Sequence, residues 1–348
     1  MAYSTIPKGS LYMNTKLYTG DATTSHAITG VNFQPDMTWI KSRTSTDTHG
    51  LFDAVRGATK RIIPNDNSVE GTQSNGLTSF DSNGFTLGDA GLVNQNYNYT
   101  SWNWKANGAG SANTDGDIAS TVSVNQTAGF SIVKWTGTQS LGTVGHGLGV
   151  TPKMIIIKNT SALENWIVYH NSLGNTKNLY LDENNAEHTR SDTFNDTSPT
   201  SSFFTVNTAT GVNKTGSTMI AYCFADVQGY SKFGSYVGNG SNDGTFCYIG
   251  MKPSLVMIKS TGLTENWWIM DSKRSPFNIV QNLLQANLSA AEVVGNANIY
   301  SDMLSNGFKL RGLDGAFNSS GQNYIYMAFA ENPFVATSGT SAIPVTAI

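Results

Sequence analysis

Short apolar runs bounded by Pro, Gly, Asn and Ser punctuate this chain. At 151–159, TPKMIIIKN sets four apolar residues between Pro152 and a lysine. The run is too short to span a bilayer and reads as a strand buried on both faces. The same pattern returns as QPDMTWIKS at 34–42 and KPSLVMIKS at 252–260. In each, a proline (Pro35, Pro152, Pro253) precedes a lysine (Lys41, Lys158, Lys259) by six residues, so the chain reads as a threefold repeat.

Further landmarks keep this register. Eight residues after the lysines stand His49, Trp166 and Trp267, and twelve after them Asp53, His170 and Asp271. Then come GFTL, FFTV and GFKL, a later Asn94, Asn213 or Asn318, and a closing apolar strand; each unit opens on a strand end running into a Gly-rich connection. β-Branched and aromatic runs separated by Gly, Asn, Asp and Ser clusters point to antiparallel sandwiches. The expected fold is all-β: three tandem, jelly-roll-like β-sandwiches of about 100 residues, at 8–107, 128–227 and 228–335, with the three lysines at equivalent positions. Each unit is large enough to bury its own core. Residues 108–127, rich in Gly, Ser and Asn, read as a linker setting the first unit apart, and 336–348 as a tail. The second and third units, joined with almost no slack, are expected to dock rigidly. One helix is predicted within 278–289, where Ile279, Leu283 and Leu284 have helical spacing.

Composition narrows the function classes. Only 13% of the 348 residues are charged, the net charge is −3, and no Lys/Arg run appears; this disfavours nucleic acid and anionic membranes. The first residues lack a basic flank followed by an apolar core, so no export signal or membrane insertion is expected. Cys223 and Cys247 read as unpaired core thiols, and the five histidines show no metal-binding spacing. NTDGD at 113–117 resembles a calcium loop faintly but lacks the later glutamate. No metal or cofactor is expected.

A lysine after a buried strand could be a reactive amine, but its recurrence in all three units favours a structural role, with the stem packed and the ammonium reaching water or a strand-end carboxylate. Trp166 with His170, and Trp267 with Asp271, fall on one strand face, with His49 and Asp53 in the first unit. An aromatic beside an acceptor can hold a sugar, so these six residues are candidate glycan contacts, against the alternative that they are core. Arg56 and Arg274 stand three residues after Asp53 and Asp271 and read as structural ion pairs; the second unit has Leu173 instead. No unit repeats a second acid at glycosidase spacing, and no nucleophile elbow, phosphate loop or zinc-protease motif appears, so no catalytic residue is assigned.

Taken together, NTKLYTGDATTSHAITGVNFQPDMTWIKSR, LFDAVRGATKR, GLGVTPKMIIIKN, MIAYCFADVQGYSKFGSYVGNG, KRSPFN and YIYMAFAENPFV resemble the virion structural proteins of marine tailed bacteriophages, including cyanophages. The resemblance spans residues 11–335 and implies a virion structural protein; with no export signal, low charge and no shaft-like segment, the expectation is a non-enzymatic component, synthesised in the host cytoplasm and displayed on the particle surface as a capsid decoration or head-fibre protein. The alternative is a tail-fibre or receptor-binding protein that binds host-surface glycans. Implied partners are other virion proteins, further copies of this chain and host polysaccharide. Tyr3 and Ile6, apolar in a polar leader, are candidate docking residues for a neighbouring subunit.

Overall fold

A computed structural model of the protein describes residues 4–296, 298–332, 335–338 and 341–344. The chain is nearly all β and antiparallel. Helix among the described residues is limited to single turns such as Gly91–Asn94, Ser191–Phe194 and Thr210–Asn213. Three large sheets share one strand order. In the first, Met13–Thr19, Asn98–Trp104, Met37–Ser42 and Gly50–Asp53 lie side by side. The second runs Phe130–Thr136, Thr218–Phe224, Met154–Asn159, Ile167–His170, and the third Ser231–Val237, Asn323–Ala330, Pro253–Ser260, Trp268–Asp271. The lysine strands pair in matching register, with Lys41 opposite Thr100, Lys158 opposite Ile220 and Lys259 opposite Ile325.

Period-two alternation divides each lysine strand between two cores. Ile155 and Ile157 face a core formed with the small sheet Gly142–Gly145/Phe203–Val206, while Met154 and Ile156 face the opposite way. Met37 and Trp39, and Leu255 and Met257, face the same way as Met154 and Ile156, and residues from all three large sheets merge into one cluster. Each large sheet thus has a local core on one face and a common core on the other. Trp102, Trp104, Trp166 and Trp267 are fully buried there.

Three expectations are corrected. The first unit is not set apart: its sheet shares the common core with the other two. The stretch 108–127 is not a free linker, because Ser111–Asn113 and Ser120–Asn125 extend the second sheet beside Phe130–Thr136. The alternation in STVSVN was hidden by its polar composition. The helix expected within 278–289 is absent, and Asn282–Gln285 is instead a strand with Leu283 and Leu284 buried on opposite faces. Only four residues long and flanked by strands on both sides, that segment gains more from ladder bonds than from one helical turn. In the tail, Val335–Ser338 pairs antiparallel with Ser341–Pro344.

Candidate functional site

The six residues expected to meet a glycan are all buried, with at most 1% exposure. That expectation is corrected: they meet the neighbouring sheets, and the contacts run around the molecule in a cycle. Tyr222, on the closing strand of the second sheet, donates to Asp53 Oδ2 of the first at 2.7 Å. Trp102, on the closing strand of the first, donates to Asp271 Oδ2 of the third at 3.1 Å. His170 of the second bonds the carbonyl of Tyr326, on the closing strand of the third, at 3.2 Å. The aromatic positions join the same pairs of units in the opposite sense. Trp166 Nε1 donates to the carbonyls of Ile63 and Asp66, Trp267 Nε1 to that of Tyr180, and His49 Nε2 to that of Leu288. Because buried polar groups must be paired, these bonds fix the three sheets in one register.

Both histidines must be neutral with the proton on Nε2, since each Nδ1 accepts, from Trp39 Nε1 in one case and the Ser172 amide in the other. Burial pushes His49 down to about 3 and His170 to about 4. The expected ion pairs are present: Arg56 Nε meets Asp53 Oδ2, and Arg274 Nε meets Asp271 Oδ2, both at 2.5 Å with little or no exposure. Leu173, where the second unit lacks the arginine, packs against the common core.

The lysines are buried, and their partners differ from those expected. Rather than reaching water or a carboxylate, each Nζ donates to backbone carbonyls: Lys41 to Ser42 and Ser45, Lys158 to Asn67 and Glu164, Lys259 to Ser260 and Leu263. Burial lowers all three to about 8. Nearby, the amides of His49, Trp166 and Trp267 are each accepted by one side-chain oxygen, from Asn65, Asp182 and Asn287. Asp182 is the acid among amides, and burial raises it to about 7.

Three glutamates escaped the sequence reading. The amides of Glu70, Glu187 and Glu292 donate to the carbonyls of Thr160, Thr261 and Arg43, closing the same cycle. Their carboxylates pair with Arg56, Lys177 and both Arg274 and Arg43. The signal was their spacing of 29, 29 and 33 residues after the lysines. The Asn landmarks have a local task. Asn94, Asn213 and Asn318 each accept the amide following Gly20, Gly137 or Gly238 and donate back into the same loop. A Cβ on those glycines would come within 1.9–2.3 Å of a carbonyl oxygen next to the Asn, so the close approach requires glycine.

Other candidates resolve briefly. Ile6 is fully buried in the common core of its own chain, which corrects the expectation that a neighbouring subunit covers it; Tyr3 lies outside the described residues. Cys223 and Cys247 are free and buried. In 113–117, Asp115 accepts from Asn113, and Asp117 accepts from the hydroxyl of Thr143. Among the described residues no group of three His, Cys, Asp or Glu could hold a metal ion, and no helix is long and apolar enough to cross a membrane.

A family model described as a domain of unknown function (DUF7483) matches residues 8–333. The chain belongs to that family. No curated protein and no solved structure matches it. The family's extent takes in the whole cycle of inter-sheet bonds, from His49 to Tyr326.

Proposed function

We propose that this protein is a non-enzymatic structural component of a bacteriophage virion, displayed on the particle surface as a capsid decoration or head-fibre protein. It is built from three tandem sandwich repeats around a pseudo-threefold axis. The repeat reading rests on the shared strand order, the matching lysine registers and the cyclic bonds of Asp53, His170 and Asp271. The functional reading rests on the sequence resemblance and on one structural observation. The acids, imidazoles and indoles that fill the two landmark positions of each unit, the natural candidates for chemistry, are spent on locking three sheets into one block. A rigid polar-surfaced block suits assembly with other virion proteins and with further copies of the chain.

Mass spectrometry and immunogold labelling of purified particles test this reading. The protein should co-purify with intact virions at a fixed stoichiometry and be reached by antibody without disruption of the particle. Its presence only in the soluble lysate would overturn the proposal.

A further inference from the structure

The third unit has four more residues between its lysine and its glutamate than the other two. Arg56 Nη1 donates to the carbonyl of Lys60, four residues on, whereas Arg274 Nη1 makes the same bond to Asn282, eight residues on. The added residues, 276–279, carry Phe277, which is 82% exposed, and Ile279, which is 42% exposed. They are held in place. The Asn278 side chain accepts from the Met303 amide at 2.9 Å and donates to the Met303 carbonyl at 3.1 Å, and Val280 exchanges two backbone bonds with Ser301. The insertion forms one wall of an open cavity of about 480 Å³, lined also by Lys252, Ser254, Ser272, Lys273 and Glu331. Lys273 and Glu331, both in its lining, pair at 3.2 Å, each partly exposed.

We propose that this cavity is a saccharide-binding site. Its volume lies within the range of roughly 300–1,000 Å³ usual for small-ligand sites. A solvent-facing ring on a backbone pinned at both sides offers a platform for the apolar face of a pyranose, at little entropic cost because the loop is already ordered. Beside it, serine hydroxyls, the ammonium groups of Lys252 and Lys273 and the Glu331 carboxylate supply both donors and acceptors, as the hydroxyls of a polyol require. The six buried residues have no part in it. Binding by the isolated protein does not depend on the virion reading; it would give a virion-surface protein a means of holding host polysaccharide.

The test is binding of the purified full chain to a glycan microarray bearing bacterial and algal oligosaccharides, followed by titration with the best-bound oligosaccharide. Saturable binding is expected, weakened roughly tenfold in Phe277→Ala and also weakened in Asn278→Ala, which keeps the ring but loosens its support. The melting temperature of Phe277→Ala should be unchanged, since the ring is exposed. Failure to bind any glycan, or equal affinity in wild type and Phe277→Ala, would overturn the site. Absence of the protein from virions would overturn the virion reading and leave this one standing.

Discussion

Each of the three lysines stands next to last in a strand that is almost wholly buried, and each brings a charge into a place closed to solvent. Each ammonium is accommodated by two backbone carbonyls, so the buried charge is paired by the main chain. Replacing Lys158 by Met removes the donor to Asn67 and Glu164 and should destabilise the protein by about 1–3 kcal/mol, read from denaturant midpoints at constant slope. Asp182 poses the opposite case. It does the work of Asn65 and Asn287, and beside Lys158 and Glu183 its burial still raises it to about 7 from 3.8. Between those values the folded chain binds more protons than the unfolded chain, so this contribution to stability is complete below about pH 4 and is lost as pH rises through 7. Asp182→Asn should therefore match wild type near pH 4 and melt higher than wild type at pH 8. A melting difference independent of pH would refute this. His49 and His170 act on the acid side: lowered from 6.5 to about 3 and 4, they contribute stability present above pH 6.5 and lost as pH falls through those values. Wild type should accordingly lose stability in acid over that range, less so in His170→Gln.

At the level of strands, the strongest interlocks are the acids at the ends of Gly50–Asp53 and Trp268–Asp271. Asp271 satisfies the Arg274 guanidinium, which also lies 5.7 Å from the Trp102 ring, and accepts the Trp102 indole. Asp271→Ala takes one of two carboxylates from a buried guanidinium, leaving Glu292, and strips the Trp102 indole of its acceptor; it should cost on the order of 3 kcal/mol. By contrast Asp192→Ala, which removes the partner of the half-exposed Arg190, should cost at most about 1 kcal/mol. Comparable losses for the two would mean that the buried pair carries no special weight. The strands and their register were legible because a proline, an apolar run and a lysine recur without insertion. The Asp–Arg pairs were legible from their spacing of three. The helix error came from Ile279, Leu283 and Leu284, whose spacing suits a helix but which belong partly to an inserted loop and partly to a strand. The glycan assignment failed for a different reason. Alternation correctly put Trp and acid on one face, but a single sequence cannot say whether that face meets water or another sheet. The four-residue insertion left a trace in the sequence, where Glu292 follows its lysine by 33 residues against 29 in the other two, and the shared bond of Arg56 and Arg274 over different lengths of chain locates it.

Over the whole molecule, the decisive fact is that each large sheet has two buried faces and only one local core. In the third unit, Leu255, Met257, Trp267, Ile269, Ile325, Met327 and Phe329 all face the common cluster. An excised third unit would expose them together. At about 1.5–3 kcal/mol per large apolar side chain, that loss is on the order of 10–20 kcal/mol, as large as the entire net stability of an ordinary domain. The expectation that each unit can stand on its own core therefore gives way to a cooperative block. Calorimetry of the full chain should show one transition whose measured enthalpy equals the van't Hoff enthalpy, which is uncommon for a chain of 348 residues. A fragment of residues 228–332 should be unfolded or aggregated when expressed alone. Two or three resolved transitions, or a fragment that melts cooperatively as a monomer, would show that the inter-sheet cycle merely docks domains that fold separately.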